Sequence, residues 1–406
     1  MKEIRLSDAI HVSLVTSSEK RWVAFQEAKH KSFEDFLPSY PSLKDNPLYR
    51  KKWGTGIHPQ RGARGGGLFP VLCLLRDGRL ACVMRTGMYH VGPGQISISF
   101  SEDKGKTWSP YAVVADSDGY QDKRDPAFGQ AANGDLIIVY GILDKYRESF
   151  APNDVMNYYP MEVIRSSDGG LTWSRPAPLQ YDLGGLYLKP HGQMRRLNNG
   201  TLVFNARGCY RQELFKQYPR LASRATYLFR SQDGGRTWPK QTNVLVGFTE
   251  TEFLELDEQH WLAYCRGSAD NRIAHSYDGG HTWQDTEVLF PDDDPEKQKR
   301  RLPGQPTLLP NGKLIVTYGY RTVPFGVRVV VSHDGGKTFD RDTEYIITDS
   351  YFLPDCGYPS TVVFPDGTIV TAAYTISDNL HEDWNTCCMA YVYSQNVYAK
   401  KMLTNS

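Results

Sequence analysis

One eight-residue pattern, Ser-x-Asp-x-Gly-x-Thr-Trp, recurs four times in this chain and a fifth time with Phe in place of Trp. The copies begin at Ser101, Ser166, Ser231, Ser276 and Ser332, and their aspartates, Asp103, Asp168, Asp233, Asp278 and Asp334, are 65, 65, 45 and 56 residues apart. Such a repeat constrains architecture more than any local propensity. Each copy marks a supersecondary unit that cannot bury its apolar faces alone, so successive units must stack. The residue types suit a tight turn: Asp and Ser oxygens accept from turn N–H groups, Gly takes backbone conformations closed to other residues, and Trp buries a ring beneath. Side chains that do the same turn-forming job five times are staples rather than catalysts.

A second repeat interleaves with the first. Short apolar runs flank Asp77-Gly78, Asn133-Gly134, Asn199-Gly200, Asn311-Gly312 and Asp366-Gly367, all hairpin signals, and Asp257-Glu258-Gln259 holds the equivalent place in the fourth unit. The second strands of six hairpins are expected at Leu80–Thr86, Asp135–Gly141, Thr201–Arg207, His260–Arg266, Lys313–Tyr320 and Thr368–Tyr374. Five third strands end in the eight-residue pattern, and the sixth ends at Ser394 without it. This predicts an all-β fold, a six-bladed β-propeller of four-stranded antiparallel blades, over residues 64–406. Residues 1–63 are expected to supply a closing strand at Ile10–Thr16, a helix at Glu19–Phe36 and a loop at Lys51–Arg64. Pro291–Arg301 reads as a solvated insertion.

The eight-residue pattern is similar to the Asp-box of the sialidase superfamily, a resemblance that runs from about residue 64 to about residue 395. It implies a funnel formed by the starts of first strands, the ends of second strands and the starts of third strands. Those places hold Arg64, Arg85, His90, Arg124, Asp125, Lys189, His191, Arg207, Glu250, Glu252, Arg266, Gln305, Arg321, Arg328, Asp355, Tyr358 and Tyr374. The family places a catalytic Glu at the start of the fourth blade and an Arg sixteen residues on, as Glu250 and Arg266 stand here. The resemblance also implies Tyr374 as nucleophile at the end of a sixth-blade strand, with Glu250 as its base, and Arg266, Arg328 and Arg321 as an anion clamp. Phenol, with a pKa near ~10, needs a neighbouring carboxylate to take its proton. A neutral nucleophile avoids repulsion from an acidic sugar.

The first blade departs from that pattern. Where the family carries Phe-Arg-Ile-Pro, this chain reads Gly67-Leu68-Phe69-Pro70, so Arg64 or Arg61 is the candidate to reach in. No Asp lies between Arg85 and Asp103 for the acid/base role, which leaves His90 or Asp125. The resemblance implies an exo-acting glycoside hydrolase that removes a terminal acidic sugar, sialic acid or related, from a glycan or sugar-acid substrate without a cofactor. Two other readings stand beside it: a non-catalytic carbohydrate-binding or scaffolding propeller, and an inverting glycosidase using Asp125, Glu250 or Asp355.

Bulk properties exclude several classes. A net charge of +1 gives no basic field for nucleic acid. The ten histidines show no metal-ligand spacing, so no metal is expected. No stretch approaches a membrane span. The start lacks an apolar leader, and the seven cysteines read as free thiols, so the expected location is cytoplasmic, or secreted or periplasmic if a leader has been removed. Oligomeric state has no signature in the sequence.

Overall fold

The structure, a computed structural model, describes residues 2–6, 9–16, 64–88, 94–117, 121–144, 157–181, 188–208, 225–267, 269–292, 294, 300–351, 354–376 and 386–398. The helix and loop expected at Glu19–Phe36 and Lys51–Arg64 lie outside these residues, except that Arg64 opens a strand. Arg61, His90 and much of the insertion after Pro291 also lie outside them.

The fold is all-β. Two short strands come first, β1 (Lys2–Arg5) and β2 (His11–Leu14). Six antiparallel meanders follow. Unit one is β3 (Arg64–Leu74), β4 (Leu80–Met88), β5 (Gly94–Ser101) and β6 (Ala112–Ala115); unit two is β7 (Asp122–Gln130), β8 (Leu136–Asp144), β9 (Asn157–Ser166) and β10 (Ala177–Pro178). Unit three is β11 (Leu188–Arg196), β12 (Leu202–Gly208), β13 (Ala225–Ser231) and β14 (Lys240–Val246). Unit four is β15 (Thr251–Glu255), β16 (Trp261–Arg266), β17 (Asn271–Ser276) and β18 (Gln284–Val288). Unit five is β19 (Arg301–Leu308), β20 (Leu314–Tyr320), β21 (Phe325–Ser332) and β22 (Thr343–Tyr351), and β1 adds to its edge in parallel. Unit six is β23 (Gly357–Val363), β24 (Thr368–Ile376) and β25 (Thr386–Ser394), completed by β2. β2 lies within the Ile10–Thr16 stretch and pairs antiparallel with β25. The parallel addition of β1 has no counterpart in the sequence reading, because four residues carry no pairing signal.

Each unit is built by two local devices. In all six hairpins between first and second strands, an Asp or Asn carboxyl or amide oxygen accepts from the N–H two residues on, at 2.9–3.1 Å. This is the Asx-turn geometry that made those dipeptides legible. In all five Asp-boxes, the Ser hydroxyl donates to the Asp at 2.7–2.8 Å and accepts from the N–H of the glycine two residues after that Asp at 2.7–2.8 Å. The Thr N–H and hydroxyl both donate to the same carboxylate. Burial in the turn works to raise these carboxyls, but the Thr and Ser hydrogen bonds outweigh it and hold Asp233, Asp278 and Asp334 down at about 2.

Longer reach joins the units. Arg79 donates to the carbonyl of Gly169, Arg165 to that of Gly234 and Arg230 to that of Gly279, at 3.1, 3.2 and 2.7 Å, so each ties its unit to the next unit's box. Six apolar clusters fill the spaces between successive units. Ile138 with Val83 joins units one and two, Leu254 with Val316 joins four and five, and Val370 with Leu80 joins six back to one. The first strands touch in the cyclic order β3, β7, β11, β15, β19, β23 and β3 again. At the seam, Ser13 of β2 donates to the Gly105 carbonyl at 2.6 Å and accepts from Trp108 Nε1 at 3.1 Å.

Asp168→Ala should lower the melting temperature by a few degrees while leaving ligand affinity of the folded protein unchanged, because it removes a turn's bonds far from the channel. Thermal melts and titration calorimetry on the same preparation check both halves. Because the folded pKa of each box Asp lies below its unfolded value near ~3.9, the stability these groups add is present above about pH 4 and lost as pH falls through about 2. Acid melts should show that loss, shallower in a box Asp→Asn variant.

Candidate active site

A pocket opens where the first strands begin, on the end away from the hairpin turns and Asp-boxes. All six units contribute to its lining, through Phe69, Asp125, His191, Glu252, Gln305 and Tyr358 among others, and no box aspartate reaches it. The local cause is a repeated backbone irregularity. The pairing of first and second strands slips at Leu68, between Arg124 and Ala127, between His191 and Arg195, between Arg301 and Gly304, and between Gly357 and Ser360. At three of these bulges a non-glycine residue before a proline holds positive φ: Phe69 at 53°, Asp125 at 51° and Tyr358 at 49°. At the third-unit bulge Gly192 does so at 71°. Each such non-glycine residue costs about 1–3 kcal/mol, an appreciable share of the ~5–15 kcal/mol net stability of a typical domain. The bulge re-aims each of these side chains from the sheet face into the pocket.

Glu250 is the hub. Its carboxylate accepts from Tyr358 Oη at 2.8 Å and Thr249 Oγ1 at 2.7 Å, and meets Arg207 and Arg266 at 2.9 Å each. Burial works to raise this carboxyl, yet Arg207, Arg266 and His191 outweigh it and hold Glu250 well below the usual range. Arg266 also donates to Tyr358 Oη at 3.0 Å. Burial, with Glu250 beside it, pushes the Tyr358 phenol up to about 12 against the pull of Arg266, Arg207 and Arg321.

A second group stands beside the first. Tyr374 donates to Asp355 Oδ1 at 2.6 Å and accepts from Arg321 at 3.1 Å, while Arg321 also meets Asp355 at 3.3 Å and stacks over the Tyr358 ring at 5.4 Å. Phe69 packs edge-on against both tyrosines, with centroids 4.9 and 5.8 Å away. On the other flank Arg85 meets Asp122 at 2.6 Å, and Arg124 bridges Asp122 and Asp125 at 3.1 and 3.2 Å. Burial would raise Asp125, but Arg124, Lys189 and Arg207 hold it at about 2. Burial brings Lys189 down to about 7, helped by Arg124 and opposed by Asp125.

The structure thus joins Glu250, Arg266, Arg207, Arg321, Asp355, Tyr374 and Arg124 in one network of contacts with Tyr358, Asp125 and His191, which line the pocket, and moves three assignments. The base expected for Tyr374 is not at its side: Glu250 is bonded to Tyr358. The reason lies in register, because Tyr374 pairs opposite Gly357 and the bulge that follows turns its neighbour, Tyr358, toward unit four. Arg328 is not at the pocket. Its guanidinium binds Glu344 and Glu3 and lies 3.6 Å from the Tyr320 ring within unit five. Gln305 lines the pocket but its amide is engaged with both the N–H and the carbonyl of Thr361, at 2.9 and 2.8 Å, stitching β19 to β23. Arg64 opens β3, and nothing is described of its side chain. Asp122 and Phe69 escaped the sequence reading; the dipeptide Phe69-Pro70, parallel to Asp125-Pro126 and Tyr358-Pro359, is the signal that finds the latter.

Comparison with known proteins agrees with this architecture. The family profile of the BNR repeat-like domain matches residues 95–371. The chain belongs to this family and, through it, to the sialidase superfamily. A sialidase of Micromonospora viridifaciens is 26% identical over 337 residues, which cover 74% of this chain and 48% of that protein; the chain spans about half the length of this curated relative. Among solved structures, a protein of unknown function from Dyadobacter fermentans aligns with a TM-score of 0.65 at 20% identity, covering 85% of this chain and 98% of that one. The NanB sialidase of Streptococcus pneumoniae aligns at 0.62 and 14% identity, over 87% of this chain and 72% of that one. At those identities the structural likeness speaks for the fold alone.

The His191 imidazole is pressed by burial down to about 4, with Arg207 and Arg266 adding to that and Glu250 and Asp125 opposing. Its ring should stay neutral down to about pH 4 in an NMR titration, two units or so below a free histidine near ~6.5. Since the unfolded chain takes this proton first, His191 should make stability fall as pH drops from about 6.5 toward 4, and His191→Gln should flatten that part of the profile.

Proposed function

We propose that this chain is a six-bladed β-propeller that acts as an exo-glycoside hydrolase on a terminal acidic sugar, with Tyr358 as nucleophile and Glu250 as its base. The observation that carries the reading is the 2.8 Å hydrogen bond from Tyr358 to a buried carboxylate flanked by two arginines. Tyr358 is too weakly acidic to attack unaided, and Glu250 is placed to take its proton as the C–O bond to the anomeric carbon forms. Arg266 then stabilises the oxygen's developing charge through its bond to the same hydroxyl.

Charge supports an acidic substrate. Among the described residues of the cluster, Arg85, Arg124, Arg207, Arg266 and Arg321 face four carboxyl groups, Asp122, Asp125, Glu250 and Asp355, before Lys189 is counted. A sugar carboxylate supplies the missing negative charge. By drawing Arg207 and Arg266, the two least covered of these guanidinium groups, partly off Glu250, it also makes Glu250 a stronger base. Asp125, held ionised, serves as an anion at rest rather than as the leaving-group acid, and His90 keeps that role in this proposal. Hydrolysis of the tyrosyl–sugar intermediate by water completes a retaining cycle.

Aryl glycosides of N-acetylneuraminic acid and of uronic acids are the assay. Tyr358→Phe should fold normally and lose turnover by about 10³-fold or more, and Glu250→Gln should lose roughly 10²–10⁴-fold, with the double variant little worse than either. Tyr374→Phe, in contrast, should retain turnover to within about tenfold, as its hydroxyl orients Arg321 and Asp355. A Tyr358→Phe protein with normal turnover overturns the mechanism. Arg266→Lys should weaken an anionic sugar far more than a neutral one, since a planar two-pronged donor becomes a point charge; equal losses would show that Arg266 holds no carboxylate.

A further inference from the structure

Two residues beyond Glu250, within β15, Glu252 enters the pocket with chemistry that the reaction above does not use. Glu252 is 4% exposed and lines the pocket beside His191, Asp125, Gln305 and Tyr358. Its Oε1 accepts from the Gln193 N–H at 3.2 Å and lies 3.9 Å from His191 Nε2. Its Oε2 is buried and has no hydrogen-bond partner among the described residues. The site is shaped for this carboxyl: a Cβ on Gly192, at the left-handed bulge of β11, would fall 1.2 Å from Oε1. Any other residue at 192 would evict Glu252.

Resting on the hydrolase reading, we propose that Glu252 is the specificity-determining donor of a neutral subsite, where its carboxylic acid O–H binds an uncharged oxygen acceptor of the sugar, a hydroxyl or an amide carbonyl. The charges around it favour the neutral form. Burial pushes Glu252 up to about 8, against a pull from Arg195 and the Gln193 N–H. Of the other groups near it, Asp125 and Glu250 are anions that oppose a third, Tyr358 stays protonated, and His191 is neutral above about pH 4, so its contact with Glu252 is no ion pair. With Oε1 occupied by Gln193, the proton resides on Oε2, the atom without a hydrogen-bond partner among the described residues. A buried donor of this kind rewards a matching acceptor and rejects a second anionic group. The pocket would thus separate two tasks: arginines near Tyr358 take the sugar's acid, and Glu252 reads a neutral substituent.

The test has a ligand-free arm and a binding arm. Infrared difference spectra between wild-type and Glu252→Gln protein at pH 7 should contain the C=O band of a protonated carboxylic acid, replaced by carboxylate bands above about pH 8; carboxylate bands at pH 7 overturn the proposal. In titration calorimetry with N-acetylneuraminate, Glu252→Gln, which keeps a donor and the shape, should bind within about threefold of wild type. Glu252→Leu should bind about 10- to 100-fold more weakly, the loss expected for one buried hydrogen bond. Wild-type affinity should also fall about tenfold more between pH 6 and pH 9 than that of Glu252→Gln, whose remaining fall is that of Lys189 losing its charge near pH 7; equal falls in the two proteins overturn the subsite. Wild-type binding that Glu252→Leu leaves untouched overturns the subsite while sparing the hydrolase reading. Wild-type protein that binds neither N-acetylneuraminate nor glucuronate overturns both. Matching melting temperatures confirm that the variants compare folded proteins.

Discussion

Packing between neighbouring units is the constraint on which everything else depends. A four-stranded meander has two apolar faces and can cover neither by itself, so each of the six clusters draws on two successive units. One cluster packs unit six against unit one, and β2, from the start of the chain, sits at the edge of unit six and sends Ser13 to the box of unit one. The Asp-boxes act within this frame. They fix each outer turn tightly enough for an arginine of the preceding unit to find the same carbonyl at Gly169, Gly234 and Gly279.

Such a rigid surround is what sustains the irregular centre. Phe69, Asp125 and Tyr358 occupy a backbone region that branched and aromatic side chains avoid, each just before a proline that itself disfavours helical torsions in the preceding residue. A flexible loop would relax them. Here the strands on either side are buried and hydrogen-bonded, so the strain persists and its product is a set of side chains aimed inward. Strain concentrated at one pocket, with a buried phenol–carboxylate bond in its midst, is the physical ground for reading that pocket as functional.

The electrostatics of the pocket follow from the same crowding. Glu250 and Asp125 stay ionised although buried, because arginines stand within reach of each; Glu252, two residues on from Glu250, feels the pull of Arg195 through space and keeps its proton. Three carboxyls of similar burial thus divide into two charge states by neighbour rather than by depth. Lys189 is poised near neutrality for the converse reason, burial among arginines.

The repeat and the turn chemistry were legible in the sequence because both are local. Asp-x-Gly-x-Thr closes its own hydrogen bonds within five residues, and Asn-Gly turns close theirs within three, so six hairpins and five boxes followed from the pattern, and its resemblance to the Asp-box pointed to the family. That Asp125 and Tyr358 stand near the starts of first strands, and Arg266 at the end of a second, was legible as well, since it derives from where strands begin and end. Which of these touch was not. Whether Glu250 meets Tyr374 or Tyr358 depends on a bulge of β23 against β24, and whether Arg328 faces the pocket or Glu344 depends on the face that a third strand presents to its own unit. Those choices are made by register and packing between residues a hundred or more positions apart, for which the chain carries no local sign. The sequence determined the units and their order; only the tertiary structure decided the partner of each charge, because a charge takes its partner from whatever the closed circuit brings beside it.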